Sequence, residues 1–353
     1  MSKKSSANTH DIAKQAGVSV GTVSNVVNGT RNVRPAVRER VQKAIAELGW
    51  QPSSLARGLR MPHSHSIGMI ITDIANPFFP LIVRGAEDVF AKLGYRMLLG
   101  NTDNDADKEL TTYSDMQTYN PAGFLIIPAP NSIIQTKLGD RKKPIVFIDR
   151  EPANWSGDVV SVDNELAAFQ ATNLLLSAGH KRVAIITGPL RSLNARQRLA
   201  GYERACKKKS LRVAMELRRE AHFSSDSGYT AAKSLLQMVP RPTAIFASND
   251  LIAAGALLAI RHAGLNCPKD VSVVGFDNLE FAELTDPGLT TVHQPAYQMG
   301  MRAAQILVAR IKTPELEPER VILGTELRIR QSVAPPTGAV ATSRKRASTQ
   351  KRK

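Results

Sequence analysis

The sequence predicts a small all-α domain at the N-terminus and a larger two-lobed α/β core, in which parallel sheets carry helices on both faces. Two observations support this fold class. Residues 11–28 show two short helical periodicities separated by a glycine. After residue 62, apolar β-type runs alternate with helical stretches, and this pattern restarts near residue 164. A chain of 353 residues is also long enough for two or three domains.

The first helix is predicted to begin near Thr9. Asn8 and Asp11 have the spacing of a capping box, with Asp in place of the usual Glu. Gly17 breaks this helix after about two turns. Its apolar stripe consists of Ile12, Ala13 and Ala16.

The second helix is predicted from about Val20 to Asn28. The Ser19 hydroxyl can cap it by accepting a hydrogen bond from an otherwise unpaired backbone N–H. Two short helices around a tight turn form a helix-turn-helix, whose second helix fits the major groove of DNA. The alternative is an ordinary antiparallel helix pair inside a helical core. The apolar stripe of this helix consists of Val23, Val26 and Val27.

A third helix and a short segment complete the N-terminal region. Pro35 suits the first position of a helix. Residues 1–51 therefore form a predicted domain of three helices around a valine-rich core. Residues 52–62 are too few for a stable helix in water, so they form either a helix that folds only on binding or a plain linker. The apolar face of the third helix consists of Val37, Val41, Ile45 and Leu48.

The positive charge of the chain is concentrated at its two ends. The net charge is +16, of which residues 1–60 carry +7 and residues 338–353 carry +6. A basic N-terminal module suits contacts with DNA phosphates. Residues 336–353 are predicted to be a disordered basic tail, which either adds non-specific DNA affinity or is merely solvated.

Several classes of protein are not expected. The sequence has no run of 18 apolar residues and no apolar segment behind its basic N-terminus, so neither a membrane span nor a secretory signal is predicted. Two cysteines, Cys206 and Cys267, make no disulfide framework and no metal cluster. We therefore expect a cytoplasmic, nucleoid-associated protein with no metal site, no cofactor, no catalytic residues and no membrane partner.

The α/β core is predicted from a repeated alternation of strands and helices. Helical segments such as PLIVRGAEDVFAKLG, NELAAFQATNLLLSAG and DLIAAGALLAIRHAG lie between the strands. Two facing lobes would place a ligand cleft between them, outside the carboxyl ends of the strands. The strands are SIGMIITDI, YRMLLGN, GFLIIPA, IVFIDR and VVSVD in the first lobe, and RVAIITG, TAIFAS and SVVGFD in the second.

Residues at the ends of these strands are the candidates for ligand binding. Carboxylates accept hydrogen bonds from vicinal hydroxyls, an arginine donates to them, and an aromatic face packs against sugar C–H groups. This mixture suits a polyol better than a phosphate, and the chain has no GxGxxG or P-loop pattern. The alternative is that the Asx residues cap helices and the phenylalanines belong to the core. The candidates are Asp73, Asn76, Phe78, Phe79, Asp149, Arg150, the segment 192–198, Asn249, Asp250, Asp277 and Asn278.

The segments DIAKQAGVSVGTVSNVVNG and NVRPAVRERVQKAIAELGWQPSSLARGLR resemble the DNA-binding head of the lactose-repressor/galactose-repressor (LacI/GalR) family. The resemblance runs without a gap from about Asn8 to Arg60. It implies that Val20, Gly21 and Asn25 read bases. It also implies DNA contacts in the hinge, where the leucine enters the minor groove and the alanine lets paired hinge helices approach each other. The further residues of the implied DNA-binding set are Ser19, Thr22, Ser24 and Asn28 on or beside the second helix, and Ala56, Leu59 and Arg60 in the hinge.

Two of these positions depart from the family pattern. Asn25 stands where many members have arginine, so adenine becomes a better expectation than guanine. Gly21 offers no side chain for reading a base. The operator is therefore predicted only to be roughly palindromic, because two protomers related by two-fold symmetry would read it.

The resemblance continues through NPFF, FIDR, NARQRLAGYERA, FASNDLIAAGAL and VSVVGFDN to about residue 333. It implies the family's effector-binding core, which is similar to periplasmic sugar-binding proteins of type I. The resemblance places lobe 1 at about 65–163 and 292–323, lobe 2 at about 164–291 and 324–335, and the whole core at 63–335. It implies a homodimer through this core. The implied effector residues are Arg198, Asn249 and Asp277, with Asp149 and the stacking aromatic Phe223, and Phe78 and Arg196 as additions.

These features together predict a sequence-specific transcriptional repressor. A small cytoplasmic effector, most simply a sugar or sugar derivative, would bind between the lobes and control operator affinity allosterically. An activator or dual regulator of the same family is the main alternative. A solute-binding protein and a sugar-acting enzyme are weaker ones, because the first would lack the head and the second would need a nucleophile, a metal cluster or a phosphate loop.

Overall fold

The computed structural model describes residues 7–28, 32–50, 65–137 and 143–337. The chain forms two compact units, Met1–Ser64 and His65–Lys353. The first unit is a helical head and the second is an α/β core, so the predicted fold class is confirmed. No helix among the described residues is long and apolar enough to cross a membrane.

Among its described residues, 7–28 and 32–50, the head has three helices, α1 (Thr9–Ala16), α2 (Val20–Asn28) and α3 (Pro35–Leu48). The predicted capping box forms at α1, where Asn8 Oδ1 accepts from the backbone N–H of Asp11 and Asp11 Oδ2 accepts from that of Asn8. Gly17 and Gly49 end α1 and α3 in the left-handed conformation, at φ 62° and 58°. The helix boundaries follow from these local signals.

The core of the head is small. Helix α2 packs against this core with three partly buried valines, Val20, Val26 and Val27. Leu48 at the end of α3 is half-exposed, because Ala44 rather than Leu48 continues the buried stripe of that helix. The buried residues are Ile12, Ala13, Ala16, Val23, Val41 and Ala44.

The first sheet of the core belongs to lobe 1. Its order is β11-β5-β4-β3-β1-β2, and every neighbouring pair is parallel. Helices α4 (Phe78–Lys92) and α11 (Ala296–Lys312) pack on one face, and α5 (Ala106–Thr118) packs on the other. The strands are β1 (Ser66–Ile71), β2 (Arg96–Asn101), β3 (Phe124–Ile126), β4 (Ile145–Ile148), β5 (Asp158–Val162) and β11 (Arg320–Leu323).

The second sheet belongs to lobe 2. Its order is β12-β10-β9-β8-β6-β7, and only the β10–β12 pair is antiparallel. Its strands are β6 (Val183–Thr187), β7 (Arg218–Glu220), β8 (Ala244–Ala247), β9 (Ser272–Asp277), β10 (Thr290–His293) and β12 (Glu326–Arg328). Its helices are α6 (Asn164–Ser177) and α7 (Leu193–Lys208) on one face, α8 (Ser225–Leu236) and α9 (Asp250–His262) on the other, and the short α10 (Phe281–Leu284).

Within the described core, residues 65–137 and 143–337, the chain passes between the lobes three times. The connections are Asp163 between β5 and α6, residues 294–295 between β10 and α11, and residues 324–325 between β11 and β12. Since β10 pairs with β9 as far as His293, the return to lobe 1 begins after residue 293.

Helices α4 and α11 approach each other closely at two glycines. A Cβ on Gly300 would lie 1.9 Å from the carbonyl oxygen of Ile82, and a Cβ on Gly85 would lie 2.0 Å from that of Tyr297. Backbone therefore packs against backbone at this contact. A side chain at either position would force the helices apart.

His180 joins the end of the described chain to lobe 2. Its Nδ1 lies 2.9 Å from Thr243 Oγ1 and its Nε2 lies 2.9 Å from the carbonyl oxygen of Ala334. Burial lowers the pKa of His180 below its ordinary value, although the bond to Ala334 opposes this. The folded protein therefore favours the neutral ring. The segment continues as far as Pro336, which is half-buried although the predicted tail begins there.

We expect this histidine to contribute a pH-dependent part of the stability. Because the folded pKa is lowered, the contribution is present above the unfolded pKa of about 6.5 and is lost as pH falls through the folded pKa. The free energy of unfolding should therefore drop more steeply from pH 7 to pH 5 in the wild type than in His180→Gln. Urea unfolding at several pH values measures this, and parallel curves for the two proteins would contradict the assignment.

Candidate functional site

A cleft in the core is lined by polar side chains that follow the strands of both sheets. It contains about 390 Å³ of space between atoms, part of it open to solvent. The residues come from both lobes, and one of them, Gln294, lies on a connection between the lobes. The lining consists of Asp73, Asn76, Phe78, Phe79, Asn104, Asp149, Arg150, Asn194, Arg198, Phe223, Asn249, Asp277 and Gln294.

Arg198 on α7 is the most heavily engaged side chain of the cleft. Its Nε donates to Asn164 Oδ1 at 2.8 Å, and its Nη1 donates to the carbonyl oxygen of Ser248 at 2.6 Å. Nη1 also lies 3.9 Å from Asp277 Oδ1, and the guanidinium carbon lies 3.7 Å from the centre of the Phe276 ring. Burial lowers the pKa of Arg198, while Asp277 opposes that shift. The guanidinium is thus fixed before any ligand arrives.

Asp277 ends β9 in a strained conformation. Its φ is 117°, in the region that favours glycine. Gln294 Nε2 donates to its Oδ1 at 2.7 Å. Burial raises the pKa of Asp277 well above its ordinary value, against the opposing effect of Arg198. A strained backbone that carries a buried carboxylate is typical of a residue kept for binding rather than for folding.

The strain at Asp277 can be measured with two substitutions. Asp277→Gly and Asp277→Ala both remove the carboxylate, but only glycine relieves the backbone. We expect the glycine variant to be more stable by about 1–2 kcal/mol in urea unfolding, the reverse of the usual order. The same pair of substitutions at Asp226, an exposed helical residue, should show alanine as the more stable. Equal stability at Asp277 would exclude the strain.

Asn249 has two roles that sequence reasoning treated as alternatives. Its Oδ1 accepts from the backbone N–H of Ile252 and so caps α9. Its Nδ2 is buried without a hydrogen-bond partner and belongs to the cleft wall. The cap fixes the side chain, and its remaining donor is available to a ligand.

Asp149 and Asn194 connect the lobes across the cleft. Asn194 Nδ2 on α7 donates to Asp149 Oδ2 after β4 at 2.8 Å. Asp149 Oδ1 and Asn194 Oδ1 are buried without a hydrogen-bond partner. Asp149 also has a left-handed backbone, with φ 70°. Two oxygens at the junction of the lobes can therefore accept bonds from a ligand.

Three phenylalanines supply the apolar wall. Phe78 and Phe79 are buried and pack edge to face with their ring centres 5.5 Å apart. Phe223 lies against Gly188, where a Cβ would come within 2.1 Å of its ring. The glycine in the turn after β6 thus makes room for the aromatic side chain.

The structure brings together six of the seven predicted effector residues, namely Phe78, Asp149, Arg198, Phe223, Asn249 and Asp277. Arg196 lies outside the cleft lining and is exposed, and its Nη1 donates to the carbonyl oxygens of Leu190 and Arg191. The reason is helical geometry, since positions two residues apart in an α-helix differ by about 200° around the helix axis. Arg196 and Arg198 cannot face the same way.

Other lining residues were not in that predicted set. Asp73, Asn76, Phe79 and Arg150 were recognised only as strand-end residues, and Asn194 only as part of a segment. Asn104 and Gln294 were missed. Gln294 directly follows β10, so the strand-end rule would have found it if that strand had been recognised.

The predicted recognition helix is α2. Ser19 Oγ accepts from the backbone N–H of Thr22 at 3.2 Å and lies 2.9 Å from Thr22 Oγ1, so the predicted cap forms. Gly21 is exposed, and a Cβ there would meet only Ser19 Oγ at 3.7 Å. Ser24 and Asn25 are half-buried. DNA contact by these residues stays a prediction.

The remaining predicted DNA contacts cannot be placed. Ala56, Leu59 and Arg60 lie outside the described residues, together with the rest of the segment 51–64 and the tail from residue 338. The side chain of Asn28 also lies outside them, although its backbone ends α2.

Comparison with known proteins agrees with both units. Residues 8–53 match the family described as bacterial regulatory proteins, lacI family, and residues 172–333 match the periplasmic binding protein-like domain. The ribose operon repressor of Escherichia coli strain K12 is 36% identical over 319 residues, which cover 90% of this chain and 97% of that protein.

Two solved structures are also similar. The lac repressor dimer bound to operator and the anti-inducer ONPF has a TM-score of 0.82 and 26% identity, covering 94% of this chain and all of that one. A LacI family regulator from Enterococcus faecium with bound ribose has a TM-score of 0.70 and 30% identity, covering 76% and 99%. This chain therefore belongs to the lacI family of bacterial regulatory proteins, the DNA-binding regulators of transcription.

Proposed function

We propose that the chain is a dimeric transcriptional repressor whose affinity for a roughly palindromic operator is controlled by a neutral sugar bound in the cleft. The observation that carries the effector part is the set of buried, unpartnered polar atoms between the lobes. We assign the chain no catalytic role and place its action in the cytoplasm, on the nucleoid.

The unpartnered atoms favour a ligand with several hydroxyl groups. Asp149 Oδ1, Asn194 Oδ1 and Gln294 Oε1 are acceptors, and Asn249 Nδ2 is a donor. Each buried polar atom without a partner costs about 1–3 kcal/mol, so a ligand that satisfies them gains that free energy on binding. Because a hydroxyl group can both donate and accept, the several hydroxyls of a sugar can pair with all four atoms.

The same atoms disfavour an anionic ligand. A phosphate or carboxylate offers only acceptors, and it would face the acceptors on Asp149, Asn194 and Gln294. The charge of Arg198 is already opposed by Asp277. Phe78, Phe79 and Phe223 suit the apolar faces of a sugar ring. Ribose is the first sugar to test, since one relative is named a ribose operon repressor and another is solved with ribose bound.

The DNA-binding part rests on α2. Its short length and its exposed start at Ser19 and Gly21 suit insertion in the major groove. Asn25 can pair with adenine through its amide. Coupling to the cleft requires only that the sugar favour one arrangement of the core, which typically changes the affinity for DNA by about 5- to 150-fold.

The test uses the full chain and a pool of random duplexes at physiological salt. We expect selection to enrich a two-fold symmetric site that binds at least about 10³-fold tighter than random DNA. Sugars are then titrated into the complex and followed by fluorescence anisotropy. Ribose or another neutral sugar should change the affinity, whereas sugar phosphates and sugar acids should not.

The outcomes separate the parts of the proposal. No enriched site would contradict the repressor, and a response to an anionic sugar alone would contradict the ligand class. A reporter with the selected site across its promoter should lose expression, and a gain of expression would favour the activator.

Asn25→Ala should relax the base preference at one symmetric base pair of the operator by about 1–3 kcal/mol. Gln42→Ala removes an exposed amide on α3 and serves as the control.

A further inference from the structure

We propose that Glu109, which lies outside the cleft, is a positioning residue for effector binding. It fixes the turn of residues 128–132, the turn fixes Arg150, and Arg150 holds lobe 2 at Ser192. The inference rests on the proposed effector role of the cleft and adds a residue that no sequence motif singles out.

Arg150 is a buried guanidinium that joins the two lobes. Its Nη1 donates to Ser192 Oγ in lobe 2 at 3.2 Å. Its Nη2 donates to Thr72 Oγ1 at 3.1 Å and its Nε to the carbonyl oxygen of Pro128 at 2.8 Å, both in lobe 1. Its three hydrogen bonds go to neutral oxygens, and the charges of Asp149 and Glu109 also act on the guanidinium.

Ser192, the partner of Arg150 in lobe 2, lies at the start of helix α7. Ser192 is the N-cap residue of α7, but its side chain makes no capping bond to that helix. Its hydroxyl accepts from Arg150 instead. Helix α7 carries Asn194 and Arg198, so Arg150 fixes the start of the helix that supplies two residues of the cleft wall.

Glu109 fixes the turn from the other side. It lies on α5, fully buried, where Oε2 accepts from the backbone N–H of Ala129 and Oε1 accepts from the Ser132 hydroxyl. Burial raises the pKa of Glu109, which the bonds from Ser132 and Ala129 oppose. Burying a carboxylate is costly, and here both its oxygens are used to hold one turn.

The contacts form a continuous path from α5 to lobe 2. Glu109 holds Ala129, the preceding Pro128 offers its carbonyl oxygen to Arg150, and Arg150 reaches Ser192. If the turn relaxes, Arg150 loses its fixed direction and the lobe arrangement seen here becomes less populated. A ligand that binds this arrangement then has a lower apparent affinity, in proportion to the lost population.

The experiment compares Glu109→Ala, Glu109→Gln and Met116→Ala in the full chain. Met116 is buried on the same helix, packs among the core residues around Phe124 and lies beside Gly68 and Gly100. Hydrogen exchange of the segment 189–194 in lobe 2 is measured without ligand, and ribose binding is measured by calorimetry. Thermal unfolding gives the stability of each variant.

We expect Glu109→Ala to speed exchange of the segment 189–194 and to weaken ribose binding about tenfold. Glu109→Gln should restore both, because its amide oxygen can accept from Ala129 and its amide nitrogen can donate to the Ser132 oxygen. Met116→Ala should lower the unfolding temperature without either effect. In an Arg150→Ala background, Glu109→Ala should change the exchange no further.

Two results would overturn the inference. One is equal exchange and affinity changes in Met116→Ala, which would make Glu109 merely structural. The other is a turn that loosens in Glu109→Ala while the segment 189–194 exchanges as in the wild type. A wild-type chain that binds no sugar would contradict the proposed function, whereas the exchange data would still decide the link between Glu109 and Ser192.

Discussion

The Arg198→Ala variant is expected to lose effector affinity by about 100-fold or more. The guanidinium is buried, hydrogen-bonded to Asn164 and Ser248, and opposite in charge to Asp277. Arg198 and Asp277 both line the cleft, so truncating Arg198 removes a fixed donor from the wall and leaves the Asp277 carboxyl to be buried against the ligand without its opposite charge, for which about 2–5 kcal/mol is the usual loss. Calorimetric titration with the sugar found in the screen measures the loss.

Arg196→Ala is the matched control for this variant. Arg196 lies on the same helix and has the same side chain, and among the described residues its guanidinium donates only to carbonyl oxygens of the loop before that helix. It should bind the effector like the wild type. Arg198→Lys keeps the positive charge but not the several directed N–H donors of arginine, so its effector affinity should lie between those of Arg198→Ala and Arg196→Ala. A wild-type affinity in a folded Arg198→Ala protein would exclude this cleft as the effector site.

Gly300→Ala is expected to lower the free energy of unfolding by about 3 kcal/mol. The added methyl would lie 1.9 Å from the carbonyl oxygen of Ile82, and backbone atoms cannot turn away as a side chain can. Helices α4 and α11 must therefore separate, and the buried contact between them, around Ile82, Ala86 and Met299, loses its packing. Urea unfolding of the core measures the change.

Gly324→Ala serves as the control for the added methyl. A Cβ at Gly324 meets no atom within 4 Å. The substitution should leave stability unchanged or raise it slightly, because alanine reduces the freedom of the unfolded chain. If Gly300→Ala were as stable as Gly324→Ala, the close approach of α4 and α11 would be wrong.

The parts of the fold that could be predicted are those with local signals. The capping box of Asn8 and Asp11 and the Ser19 cap defined two helix starts, and apolar runs such as IVFI defined the central strands. The edge strands β7 and β12 were not recognised. They are three residues long and read RRE and ELR, because an edge strand need not bury both faces.

The candidate site was predictable for a similar reason. The strand-end rule located Asp149, Asn249 and Asp277 without any coordinates. It could not find Glu109, whose role depends on a turn after a different strand. Asn104 follows the predicted strand YRMLLGN by three residues, so the same rule applied to that strand would have included it. Contacts between distant segments are set by packing, which a single sequence does not record.

The three connections between the lobes determine how the core can move. Consecutive Cα atoms are 3.8 Å apart, so a two-residue connection such as 294–295 or 324–325 allows its flanking residues to separate by at most about 11 Å. Three such tethers keep the lobes close together, which favours rotation about an axis near the tethers. Gln294 lies in one tether, donates to Asp277 and keeps a buried oxygen without a partner. A ligand that bonds to this oxygen contacts the protein close to the rotation axis. A small displacement of one lobe there corresponds to a larger displacement at the outer ends of the lobes.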